Sequence, residues 1–124
     1  MYSNKRKFKR LPIRGFMKCS VAFKHCSKKH ESVSVLSISA GGMFIALNGI
    51  ADNNFKKGDP IESIQFDLTD LGIHKLRGTI VHSMSVGEIG GCGVEFDDMP
   101  QEAVSLLDLY VERKLKDFGL WDIC

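Results

Sequence analysis

Apolar and polar positions alternate through most of the first hundred residues. In 16–24, Met17, Cys19, Val21 and Phe23 fall on one side and Lys18, Ser20 and Lys24 on the other. A period of two reads as a strand with one buried face. A turn at Ser27–Lys29 leads to a second strand near 31–38, and "MFIAL" (43–47) makes a third. "IESIQFDL" (61–68) is a fourth, with Ile64, Phe66 and Leu68 on one face. "IHKLRGTIVHSM" (73–84) is a fifth, in which Leu76, Ile80 and Met84 share a face, and "CGVEF" (92–96) is the sixth. The stretches between them, "NGIADNNFKKGDP", "DLG" and "SVGEIGG", carry the Gly, Asn, Asp, Pro and Ser of turns and loops.

The period changes after Pro100. Val104, Leu107, Val111, Leu115 and Phe118 recur every three or four residues, the stripe of an amphipathic helix. Pro100 suits a first turn, Asp97 or Asp98 is placed to cap it, and Glu102 lies near the positive end of the helix dipole. Arg113, Lys114 and Lys116 fall in the last turns, and Gly119 suits the stop. The order predicts an all-β domain, a six-stranded antiparallel β-barrel, with a C-terminal helix plugging or flanking it. The expected organisation is an extended, flexible basic arm over 1–13, the barrel over 14–99 and the helix over 100–118.

At 124 residues the chain is long enough for one domain with a core of its own. No apolar run approaches the roughly 20 residues of a membrane helix. The positive N-terminus is not followed by an apolar stretch, so it does not read as a secretory signal, and a cytoplasmic location is expected. Cys19, Cys26, Cys92 and Cys124 then read as free thiols. Cys19, His25, Cys26 and His30 lie close in sequence without the short spacing of zinc-binding cysteine pairs, so no metal is expected.

The net charge of +2 conceals an asymmetry: residues 1–30 hold ten of the seventeen Lys and Arg and none of the fifteen acids. A positive arm on an acidic body is an electrostatic footprint for a phosphate-bearing partner, or else a solvated tail. Within it, "KRKFKR" places Arg6 and Arg10 four apart, with Lys5, Lys7 and Lys9 around them. Arginine presents a planar fork of donors that grips phosphate or the guanine O6/N7 edge in pairs. Further on, "VLSISAGGMFI" (35–45) interrupts a strand and at once resumes it. The interruption is either a hairpin turn or a loop that lets an anion or a base edge approach the backbone. Ser39 offers a hydroxyl, and Gly41 and Gly42 expose backbone N–H groups.

In this order and at this separation, the two stretches resemble the motifs of the PilZ domain family. Arg6-Lys7-Phe8-Lys9-Arg10 matches the family's Arg-x-x-x-Arg, with Lys5 as its preceding basic residue. Ser37-Ile38-Ser39-Ala40-Gly41-Gly42 matches Asp/Asn-x-Ser-x-x-Gly at Ser39 and Gly42, but Ser37 stands where the family has an acid or amide. "GVEF" (93–96) matches the Gly-x-x-Phe of the family's last strand. The resemblance covers nearly the whole chain. It implies a six-stranded barrel with a helix that binds cyclic di-GMP through Arg6, Arg10, Ser37, Ser39, Gly41 and Gly42, supported by Lys5, Lys7 and Lys9, with no cofactor.

Three function classes follow. A cyclic di-GMP receptor would pass its signal to a protein partner. A PilZ-like adaptor would work through protein contacts without nucleotide, and Ser37 favours that alternative. A nucleic-acid-binding barrel would use the basic arm, but the strands lack a run of exposed aromatics for base stacking. No nucleophile–base pair in a recognisable context and no Walker loop is present, so an enzyme is not expected. His74 and His82 read as structural or exposed residues of the fifth strand.

Overall fold

The computed structural model describes residues 8–13, 15–47, 55–67, 76–86 and 89–120, with the backbone alone at 84–86 and 89. Lys5, Arg6, Lys7, His74, Leu68, Cys124 and the side chain of Met84 therefore lie outside the described residues. Among the described residues, seven strands and one helix follow in order: β1 (Leu11–Pro12), β2 (Ser20–His25), β3 (Lys28–Ser39), β4 (Gly42–Ala46), β5 (Pro60–Phe66), β6 (Leu76–Val86), β7 (Ile89–Asp97) and α1 (Gln101–Asp117).

Six of the strands close on themselves in the order β3-β2-β5-β6-β7-β4, because β4 pairs back onto β3, and every pairing is antiparallel. The closure is possible because β3 serves two neighbours in succession. Its first half pairs β2 through Val33 and Ser34, and its second half pairs β4 from Val35 to Ser39. The expected barrel and C-terminal helix are thus both present.

Three expectations need correcting. First, the sequence predicts an arm that stays extended and flexible through residue 13. Instead Leu11 and Pro12 form β1 against Ile38 and Ser37, and Leu11 and Ile13 are fully buried. Two large aliphatic side chains gain too much by leaving water to remain on a solvated tail. Second, the fourth predicted strand does not keep its period. Ser63 adopts φ 54°, the register slips between Ile61 and Ile64, and these two residues, three apart, both point inward. A bulge adds the residue that turns the face over, so Ile61 joins Ile64 inside, while Ile64 and the partly buried Phe66 keep the shared face expected of them. Third, neither Asp97 nor Asp98 caps the helix. Pro100 occupies the N-cap without a side-chain hydrogen bond, and Asp97 instead accepts a 2.7 Å bond from Thr79 Oγ1 across the β6–β7 pair.

The helix follows its stripe closely. Leu107, Val111 and Leu115 are completely buried, with Val104 and Phe118 partly so, and the helix packs against β1 and β3. Its end is closed by Leu120 N–H donating to the Leu115 carbonyl across Gly119, which takes φ 72°. Phe118 then stacks on Phe16 at 5.2 Å, pinning the chain between β1 and β2 to the helix end. The core inside the barrel is aliphatic, with Val21, Val35, Ile45, Ile61, Ile64, Ile80 and Val94 all nearly inaccessible.

Candidate functional site

The serine-glycine stretch is a hairpin turn. Ser39 pairs with Gly42, leaving Ala40 and Gly41 as the two connecting residues between β3 and β4. Gly41 N–H donates to Ser39 Oγ at 3.2 Å, and Ser39 is 7% exposed. The Ser39 hydroxyl thus fastens the turn, and the Gly41 N–H is spent on it rather than offered outward. The Gly41 carbonyl accepts from Phe96 N–H at 2.9 Å, which ties the turn to β7. Gly42 is required by packing. A side chain there would run into the Val94 carbonyl oxygen of the neighbouring strand, whereas at Gly41 it would make only van der Waals contacts, with the Phe8 ring at 3.4 Å and Ser39 Oγ at 3.8 Å.

On the outer face of the barrel this turn forms one side of a cleft of about 260 Å³. Phe8 and Arg10 line it from the N-terminal segment, Ser39, Gly41, Gly42 and Phe44 from the β3–β4 hairpin, and Val81, His82, Gly93 and Glu95 from β6 and β7. Arg10 therefore meets the glycine turn in one place, although the two are distant in sequence. Phe44 and His82 stack at 5.6 Å and 30°, giving the floor a flat aromatic surface, and Val81 is exposed beside it. Arg10 and Glu95 supply opposite charges to the lining.

Of the expected site residues, Arg10, Ser39, Gly41 and Gly42 share this cleft. Ser37 and Lys9 do not line it. Ser37 is half-buried on β3, directly across from Phe44 on one side and Pro12 on the other, so it shares Phe44's face of the sheet. Arg6, Lys5 and Lys7 lie outside the described residues. Phe8, Phe44, His82 and Glu95 are cleft residues that sequence reasoning missed. Phe8 and Glu95 had a signal, since they sit at variable positions inside "RKFKR" and the "GVEF" that match the family, whereas Phe44 and His82 had none. A second hollow, of about 570 Å³, is lined by Met17, Cys19, Val35, Leu36 and Asp67 and contains none of the motif residues. Burial, and then the nearby Asp67 carboxylate, push the Cys19 thiol up to about 12. Burial alone does the same for Cys92.

A model of the PilZ domain family matches residues 4–113, and the chain belongs to that family. Three solved structures share its fold. The cyclic di-GMP-bound PilZ domain of YcgR from Escherichia coli is 12% identical with a TM-score of 0.73, over 93% of this chain and 97% of that one. The inhibitor of motility MotI/DgrA of Bacillus subtilis is 14% identical with a TM-score of 0.70, over 91% of this chain and 52% of that one. The MrkH–cyclic di-GMP complex of K. pneumonia is 11% identical with a TM-score of 0.75, over 93% and 55%. The chain thus spans about half the length of the last two. No curated protein sequence matches it significantly. Among the described residues, no helix is long and apolar enough to cross a membrane.

Proposed function

We propose that this PilZ domain is a cyclic di-GMP receptor, a binding module and not a catalyst. The observation that carries the reading is the meeting of Arg10 with the Ser39–Gly42 turn in one aromatic-floored cleft. Arg10 would grip a phosphate or the O6/N7 edge of a guanine. The paired rings of Phe44 and His82 offer a face on which a purine can stack. Arg6, one family spacing before Arg10, would add a second fork from the arm and close over the ligand. The ligand's binding energy would order the arm, and the changed surface would be read by a protein partner. Two structural relatives in complex with cyclic di-GMP support this reading.

A second reading, an adaptor that works without nucleotide, draws on two residues. Ser37 lacks the family's acceptor, and Glu95 brings a negative charge into a cleft proposed for an anion. Calorimetric titration of the full chain with cyclic di-GMP, beside GTP as control, separates the two. Saturable binding of cyclic di-GMP and none of GTP is expected. No heat with cyclic di-GMP gives the adaptor reading.

A further inference from the structure

At the opposite end of β3 from the glycine turn, three side chains of different chemistry converge. His25 ends β2, Cys26 opens the turn into β3, and Asp59 precedes β5. His25 Nε2 lies 2.8 Å from Asp59 Oδ2 and 3.7 Å from Cys26 Sγ, and donor atoms of all three lie within 4.8 Å of one another. We propose that His25, Cys26 and Asp59 form a binding site for one zinc-type divalent transition-metal ion. It shares no residue with the cleft and does not depend on the nucleotide reading.

The donor set fits such an ion. Imidazole nitrogen, thiolate sulfur and carboxylate oxygen are the ligands zinc takes in tetrahedral sites. Bond lengths of about 2.0–2.1 Å to nitrogen and about 2.3 Å to sulfur place those two atoms about 3.6 Å apart around a tetrahedral ion. The observed nitrogen–sulfur separation of 3.7 Å is already at that value. The histidine and carboxylate need to part by only about half an ångström to admit an ion between them.

The surroundings hold the donors in place. His25 is 1% exposed, and its ring is stacked on Phe55 at 4.1 Å and 11°. Asp59 Oδ2 also accepts from Lys56 N–H at 3.0 Å, and the Asp59 carbonyl accepts from Ile80 N–H, so its carboxylate and backbone are both oriented. Cys26 is exposed, which gives an ion and its remaining water a way in. Cys26 and Ser27 take φ 51° and 67°, in a turn where Asn or Gly is the usual choice. A cysteine there aims its sulfur back at the His25 ring.

Binding an ion displaces two protons from its ligands: the thiol proton of Cys26 goes to solvent, and the Nε2 proton that faces Asp59 Oδ2 is replaced by the metal as the neutral imidazole shifts to its Nδ1–H tautomer, so no redox partner is needed. The test is titration of the full chain with cobalt(II), followed by zinc competition. One equivalent of cobalt is expected to raise a thiolate-to-cobalt charge-transfer band that zinc abolishes. Cys26→Ser should remove that band, while Cys124→Ser keeps it. Asp59→Asn, which leaves the sulfur and the ring in place, should weaken zinc about tenfold or more. Thermal melts keep folding in view, since zinc should raise the midpoint of the parent and not that of Cys26→Ser. Absence of the band in the parent, or its survival in Cys26→Ser, overturns the site.

Discussion

The two ends of β3 are both tight turns, yet they are built on opposite principles. At Ser39–Gly42 the chain uses small residues. The hydroxyl fastens the turn from within, and the missing side chain of Gly42 lets β4 lie against Val94. At Cys26–Ser27 it places two side-chain-bearing residues in left-handed backbone. The first turn is glycine-dependent and sealed underneath by the barrel core. The second is open, and what it carries is a set of side-chain donors. A cleft for a ligand with flat faces needs side chains out of the way, whereas an ion needs donor atoms brought together.

The largest expected contrast lies between the exposed thiol at one of these ends and the buried thiols of the barrel. Cys92 sits in β7 opposite Ile45, and its thiol is pushed from 9.0 to about 12. At neutral pH this leaves about a thousandfold less thiolate than an ordinary thiol would have, and only the thiolate is alkylated. Iodoacetamide with EDTA present should therefore modify exposed Cys26 promptly and leave Cys92 and Cys19 intact in the native chain. Mass mapping of the products decides it. Prompt labelling of Cys92 would mean that the barrel opens readily around β7.

The glycine turn can be broken next. Gly42→Ala drives a methyl into the Val94 backbone carbonyl, which cannot swing aside as a side chain could. A cost of about 1–3 kcal/mol is expected, read as a lower thermal midpoint. Gly41→Ala meets only side-chain atoms, of Phe8 and Ser39, at van der Waals distance and should melt like the parent. If both variants melt alike, the two glycines are not distinguished by packing. Arg10→Ala probes binding on the same side of the molecule. Loss of one charge-assisted contact, about 1.5–3 kcal/mol, should weaken cyclic di-GMP at least about tenfold, with circular dichroism recording that the variant is folded. Parental affinity in Arg10→Ala would place the ligand elsewhere.

Much of this architecture is legible in the chain because burial writes a period. Val21 and Phe23, or Leu107, Val111 and Leu115, face the core as their spacing requires. What is not legible depends on distance or on backbone irregularity. Nothing local announces that Ser63 will bulge and turn Ile61 inward. Nor does "KHCSKKH" announce that its carboxylate partner is Asp59, brought up by the pairing of β2 with β5. The spacing of the cysteines argues against a metal because the third donor is not in that stretch at all. In the cleft, Arg10 and the glycine turn are visible as motifs. The aromatic floor of Phe44 and His82 arises only when β4 and β6 both pair with β7.

The smallest effect expected is at Ser37, and it bears on what the glycine turn recognises. Ser37 stands across from Phe44, whose ring lines the cleft, so it is one step from the lining and on the same face of the sheet. Aspartate is longer than serine and carries a charge, and from this position its oxygens can extend past the Phe44 ring toward a stacked guanine. There they would accept from the guanine N–H groups. A bond to a charged acceptor exceeds a neutral one by roughly 1 kcal/mol, so Ser37→Asp should bind cyclic di-GMP about fivefold more tightly. Glu95 already contributes one negative charge to the cleft, and a second would oppose the phosphates, which limits the gain. Parent and variant should be titrated at one salt concentration, since the Arg10 contact is itself screened by salt. An unchanged affinity would mean that the Phe44 ring separates this position from the base. A clear loss would mean that the phosphates, and not a guanine edge, lie on the Ser37 side of the turn.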